Sequence, residues 1–352
     1  MSGDHGEVQT QPMVDIHAIE EELAQVRWKL KPDGEIGEAE MHAAAEARAS
    51  VLNLITVVES ESRYRSITQV LDELAVHHPS RTLVLLAQEE RAAMKLEAGV
   101  VAEAHLDSGH RVVTEQVLLH AHGAIAEHLA SLVQPLLIPD LPIMLWWPGR
   151  PDFDSRLFNE LSDLGDRLVV DTDEGFAPTD LARLLQVARR RSQGCAIGDF
   201  NWARLLPWRQ LAAQFFDMPT TLARLAGLHG VTVWYGADGP STQALLLAGW
   251  VESRMASVGI TVGRVVRADP AFPPGVGRLM LYSDGSDERS RFSITKLPGG
   301  RLATEMRLGD EDVGGRTVRL EHRGAAELLA IELTLPGHDP VYEEALAAAA
   351  RG

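Results

Sequence analysis

The sequence is poor in the residues that most directly announce chemistry. It holds one cysteine, Cys195, in 352 residues. An intrachain disulfide is therefore impossible, as is a cysteine-based metal cluster within one chain. So sparing a use of thiols suits the cytoplasm. Positive charge is also scarce: 33 Lys and Arg stand against 50 Asp and Glu, a formal net charge of -17. That balance argues against nucleic acid or an anionic membrane as the main partner, because both attract cations. No apolar run is long enough to span a bilayer. Met1–Pro12 is polar and acidic and lacks the apolar core of a secretory signal, so residues 1–15 read as a disordered N-terminus. No Gly-x-Gly-x-x-Gly follows a strand, and no Gly-x-x-x-x-Gly-Lys-Ser/Thr occurs. Neither Ser80 nor Ser241 lies in a Gly-x-Ser-x-Gly elbow. Cys195, in a loop without a neighbouring His, reads as an incidental thiol. No pair of carboxylates stands out in an acid/base context.

What is present is ordinary globular material. Hydrophobic residues make up 45% and charged residues 24%, enough for real cores in a chain of two-domain length. The centre is Leu141–Gly149, Leu-Pro-Ile-Met-Leu-Trp-Trp-Pro-Gly. An apolar run bounded by Pro139-Asp140 and by Pro148-Gly149 predicts a strand buried on both faces. Neighbouring strand residues point to opposite faces, so Trp146 and Trp147 cannot enter the same core. Around it, predicted strands at Val51–Val58, Arg81–Ala87 and Arg167–Asp171 alternate with helices at Tyr64–His77, Asp152–Leu164 and Pro178–Arg191. Further helices are predicted at Ile16–Leu30, Glu38–Ala49 and His122–Leu132. Val100–Leu106 and Arg111–Leu119 flank a hairpin turn at Asp107-Ser108-Gly109-His110. Helices are also predicted over Asn201–Phe216 and Ser241–Val258, and strands over Val231–Tyr235 and Ile260–Arg267. From Val276 to Leu320, short β-prone runs are separated by Gly-containing turns, and two helices, Gly324–Leu333 and Asp339–Ala350, follow. The pattern predicts an α/β domain over residues 16–193 with a mixed, largely parallel sheet and flanking helices, followed by a second, α+β domain over 194–352 with antiparallel hairpins.

Three stretches could carry chemistry. His120, His122 and His128 cluster, and on a strand His120 and His122 would share a face fit for one metal ion. No acidic or Cys ligand sits at a familiar spacing, so the expectation is no metal. Gly236–Ser241 joins a strand to a helix, where a helix N-terminus can hold an anion, but Ser241 reads first as an N-cap. Finally, Asp199–Arg209 places Trp202 and Trp208 around Arg204, with Arg209 following. Trp with Arg is the composition of interface hot spots, of sites that stack on a sugar and grip a phosphate, and of packed domain junctions.

Here the sequence resembles a known family. Arg81 before a strand, Pro139-Asp140-Leu141-Pro142 with Leu145-Trp146-Trp147-Pro148-Gly149, Asp199 with Trp202-Ala203-Arg204-Leu205 and Pro207-Trp208-Arg209, and Asp339–Leu346 together resemble the glucose-6-phosphate dehydrogenase assembly protein OpcA of actinobacteria and cyanobacteria. The resemblance spans about Ala49 to Leu346. It implies a non-catalytic, cytoplasmic partner of glucose-6-phosphate dehydrogenase that promotes its active oligomer or activates it allosterically, in the oxidative pentose phosphate pathway, without a cofactor. Cyanobacterial relatives are linked to thioredoxin and cysteine redox state. With Cys195 alone, an intrachain dithiol switch cannot operate here. The family supplies no catalytic residues to carry over. The expected partner-binding residues are Trp202, Arg204, Trp208 and Arg209, with Trp146 and Trp147 second. The alternatives are a sensor that binds a sugar phosphate and, further off, an enzyme acting on one.

Overall fold

The computed structural model describes residues 16–29, 51–88, 94–107, 110–190, 195–236, 241–284, 289–335 and 337–351. The predicted Glu38–Ala49 helix, the centre of the Asp107–His110 turn, most of the Gly236–Ser241 junction and the N-terminus read as disordered lie outside them. The chain forms two compact units. One comprises 1–170 with 325–337, the other 171–324 with 338–352. The division after Val170 falls earlier than the boundary expected near Gly194.

The first unit carries six strands: β1 (Leu52–Val58), β2 (Ser80–Gln88), β3 (Lys95–Asp107), β4 (His110–His122), β5 (Ile143–Trp147) and β6 (Arg167–Val170). Their order is β3-β4-β2-β1-β5-β6. β4, β2, β1, β5 and β6 run parallel, and β3 closes one edge as an antiparallel hairpin with β4. β1 and β6 are buried at every residue, and β2 at all but its last. This explains why they read as apolar runs without alternation: a parallel sheet is covered on both faces. The Glu61–His77 helix starts where the Ser60 hydroxyl accepts the Arg63 N–H, an N-cap that satisfies one of the free amides of a first turn. The expected His122–Leu132 helix begins one residue later and differently, as a 3-10 turn over Gly123–His128 leading into a short helix, Leu129–Val133. Strand pairing with Gln88 keeps His122 in β4.

The motif before β5 is held by one side chain. Asn53, wholly buried in β1, accepts the Ile138 N–H at 2.9 Å and donates to the Ile138 carbonyl at 3.0 Å. The loop then turns through Asp140 at φ 64°, a left-handed conformation that Asp tolerates better than most residues. Arg81 is likewise a bracket. Its Nη1 donates to the Leu136 carbonyl at 2.8 Å and pairs with Glu20 at 3.1 Å, while Nη2 reaches Glu115 at 3.3 Å.

The second unit contains the short strand β7 (Ala196–Asp199) and a sheet of β8 (Leu228–Gly236), β9 (Gly263–Ala268), β10 (Gly275–Asp284), β11 (Arg289–Leu297), β12 (Arg301–Leu308), β13 (Glu311–Gly314) and β14 (Thr317–Arg319). The order is β13-β12-β11-β10-β8-β9, with β14 also on β12. Every pairing is antiparallel except β8 with β9, which the Thr242–Ser257 helix connects. Leu279, Leu281, Phe292, Ile294 and Leu302 form the buried face, against which Phe215 and Phe216 pack on Phe292. The Thr242–Ser257 helix packs on the closing helix, Pro340–Ala349.

Candidate functional site

The site expected around Trp202 is assembled within the second unit. β7 ends at Asp199, whose side chain caps the Phe200–Arg204 helix by accepting the Asn201 N–H at 2.9 Å. The next helix, Leu206–Gln214, starts immediately, with Pro207 in its first turn. A proline is tolerated there because its missing N–H would have had no intrahelical partner. The helical stretch expected over Asn201–Phe216, with Pro207 limiting its continuity, is two helices with Leu205 between them.

Asp199 is the hub of a buried polar network. Its Oδ2 accepts the Thr172 hydroxyl at 2.7 Å and the Tyr342 hydroxyl at 3.3 Å, and its Oδ1 accepts the Thr172 N–H at 3.1 Å. Asn201 Nδ2 donates to Thr172 Oγ1 at 3.0 Å, Gln243 Nε2 donates to Asn201 Oδ1 at 3.2 Å, and Thr242 Oγ1 donates to the Thr172 carbonyl at 2.7 Å. Arg204 grips Asp171 through two parallel bonds, Nη1 to Oδ1 and Nη2 to Oδ2, each 2.7 Å. Such a fork-to-carboxylate pair is geometrically demanding, and lysine cannot reproduce it. Complete burial, and then the nearby Asp171 charge, push the Asp199 carboxyl up to about 7, against the hydrogen bonds from Thr172 and Asn201. Burial and then Asp171 also raise Asp173, which Arg204 partly offsets.

Trp202 joins this network to the closing helix. Its indole Nε1 donates to Asp339 Oδ2 at 2.9 Å. The other oxygen of Asp339 caps the Pro340–Ala349 helix by accepting the N–H groups of Val341 and Tyr342. The Trp202 ring lies 5.4 Å from that of Tyr342. Arg209 stacks on the indole at 3.4 Å from the ring centroid and donates to the Trp202 carbonyl at 3.0 Å.

Trp202, Arg204 and Arg209 therefore cluster as expected, but the tryptophans face inward. Trp202 and Trp208 are 5% and 3% exposed, and Trp146 and Trp147, in the first unit, 3% and 4%. Trp147 meets Phe158 edge-on at 5.3 Å. Trp146 Nε1 is buried without a hydrogen-bond partner among the described residues. Of the six expected residues, Arg204 and Arg209 are part-exposed, Arg204 over a third of its side chain. Sequence reasoning missed Asp171, Thr172, Gln243 and Tyr342, which converge from three separate stretches. The signal that was available was Asp199, an Asp directly before a helical run. Chemically, the arrangement is a filled hydrogen-bond network with one carboxyl of near-neutral proton affinity.

Comparison with known proteins matches two family models in tandem. Residues 71–189 match the glucose-6-phosphate dehydrogenase subunit N-terminal domain and residues 195–346 the corresponding C-terminal domain. The two matches are separated by residues 190–194. Relatives provisionally named OxPP cycle protein OpcA include one from Nostoc punctiforme, 30% identical over 53% of this chain and 40% of its own length. A second, from Synechococcus elongatus, is 24% identical over 92% of this chain and 78% of its own length. The chain spans about two-fifths of the length of the Nostoc protein and of its Synechocystis counterpart. Among solved structures, an oxidoreductase from Sinorhizobium meliloti aligns with a TM-score of 0.45 at 11% identity, over 84% of this chain and 86% of its own. A 3-ketoreductase from Actinomadura kijaniata aligns at 0.43 and 11%, over 85% and 95%. The tandem models, with the full-span match to the Synechococcus protein, set the assignment: the chain belongs to the OpcA family of glucose-6-phosphate dehydrogenase assembly proteins.

Proposed function

We propose that this protein is a non-catalytic, cytoplasmic partner that binds glucose-6-phosphate dehydrogenase and favours its active oligomer. The observation that carries the reading is the tandem match of both halves to domains described as the N-terminal and C-terminal domains of a glucose-6-phosphate dehydrogenase subunit. The site geometry supports it: Arg204 and Asp171 are bonded to one another, and Asp199 to its donors, so their polar atoms are engaged within the fold and are not poised for acid/base chemistry. The Trp202–Arg209 segment then shapes the contact surface from beneath. Arg204, being part-exposed, is its point of contact, and the buried tryptophans hold it in place.

An effector shifts a partner only by binding one state better than another, and a tenfold preference corresponds to about 1.4 kcal/mol. The test is an assay of the cognate dehydrogenase, with its oligomeric size, in the presence and absence of this protein. Activity and assembly should rise together, and Arg204→Ala should weaken the effect while leaving the protein folded by circular dichroism. No change in activity, substrate affinity or size would sink the proposal. The sugar-phosphate reading would require Arg204 to exchange Asp171 for a ligand. A rise in melting temperature of the isolated protein with glucose 6-phosphate would favour it.

A further inference from the structure

The hairpin at the edge of the first sheet brings together what the sequence separates by more than twenty residues. In the β3–β4 ladder Glu97 lies opposite His120, and Lys95 opposite His122. Opposite residues of a pair share a face, as do residues two apart on one strand. All four side chains therefore stand on one face. His120 Nδ1 and His122 Nε2 each lie 3.8 Å from the same carboxylate oxygen, Glu97 Oε2. The two imidazole rings are 4.0 Å apart. Lys95 occupies the other oxygen, Oε1, and leaves Oε2 to the histidines.

We propose that Glu97, His120 and His122 form a binding site for a divalent first-row transition ion such as zinc. One ligand atom from each residue lies within 4.8 Å of the other two. Tetrahedral zinc at ordinary Zn–N and Zn–O lengths places its ligand atoms about 3.4 Å apart, so the two 3.8 Å contacts to Glu97 close with shifts of a few tenths of an ångström, and the two imidazole nitrogens, within 4.8 Å of one another, draw together by a side-chain rotation. Two imidazoles with one carboxylate select a borderline ion over calcium or magnesium, which take oxygen shells. His122 is 95% buried by its side-chain exposure of 5%, and its Nδ1 has no hydrogen-bond partner among the described residues. Gln88, paired with His122 in the neighbouring strand, has a buried Oε1 that also lacks one. A three-ligand ion keeps a fourth position for water. His128, in the 3-10 turn beyond, is exposed and is not part of the cluster. The ion would staple the edge strand β3 to β4.

The alternative is a carboxylate that merely pairs with two histidines, and the experiment separates the two. Full-length protein stripped with chelator is titrated with zinc by calorimetry, and with cobalt by visible absorption. One ion per chain and a raised melting temperature are expected. Glu97→Gln, which preserves shape, and His122→Ala should each weaken binding by more than about tenfold. His229→Ala, a change at an exposed histidine beside Asp284, should leave it unchanged. Absence of stoichiometric binding, or binding that survives Glu97→Gln, overturns the site. Should His122→Ala fail to fold, Glu97→Gln and His120→Gln decide the matter by the same titration.

Discussion

At the scale of single residues, the network around Asp199 has a consequence for stability. An ordinary Asp titrates near 3.9 in an unfolded chain, whereas the buried Asp199 carboxyl titrates at about 7. Between those values the folded protein holds a proton that the unfolded chain has released. Stability therefore falls as pH rises through about 4 to 7, then levels off. The full effect is on the order of 4 kcal/mol at about 1.4 kcal/mol per pH unit. Asp199→Asn, neutral at every pH, should flatten that part of the profile. Urea unfolding of both proteins at pH 5 and pH 8 gives the comparison, and an equal pH difference in the two would refute the shifted carboxyl.

At the scale of elements, close approach of backbones is as decisive as any side chain. Gly249 lies in the middle of the Thr242–Ser257 helix, where glycine costs about 1 kcal/mol relative to alanine. A Cβ there would sit 2.6 Å from the Ala345 carbonyl oxygen and 2.8 Å from the Ala349 nitrogen, both backbone atoms of the Pro340–Ala349 helix. Neither can give without moving the whole helix, and such overpacking costs about 1–3 kcal/mol. Gly249→Ala should thus lower the melting temperature by a few degrees despite its better helix propensity, and Gly249→Val should lower it further. A melting temperature raised by the alanine would mean that the helices do not approach this closely. The same contrast explains how far the sequence could be read. Apolar runs such as Leu52–Val58 and Ile143–Trp147 announced buried strands because parallel sheets leave no polar face, and Ser241 before its helical run announced the cap that it makes. Partners made by tertiary contact left no local trace. Glu97 opposite His120, Asp171 beneath Arg204 and Asp339 beneath Trp202 are separated in sequence by 23, 33 and 137 residues. The tryptophans were legible as anchors, yet spacing alone could not distinguish a buried anchor from an exposed one.

At the scale of the whole molecule, the chain passes between its two units three times, so neither unit is a continuous stretch. The segment Ala325–Leu333 belongs to the first unit, where it packs on the Glu61–His77 helix. It supplies Glu332, whose Oε2 lies 2.6 Å from Arg167 Nη2, with both side chains 2% exposed. Gly337 adds its carbonyl to Arg167 Nη1 at 2.7 Å. A fragment ending at residue 193, the boundary that the sequence and the family models suggest, would retain Arg167 in β6 and lose both partners. An uncompensated buried charge costs about 3–5 kcal/mol, a large part of the stability of a typical domain, and Leu328, Leu329 and Leu333 would be missing from the core as well. The fragment 1–193 should therefore lack a cooperative thermal transition by circular dichroism. Joining residues 325–337 to its end through a flexible linker should restore one, and Glu332→Ala in the joined form should abolish most of the gain. A sharp transition in the unmodified fragment would show that β6 does not depend on this helix.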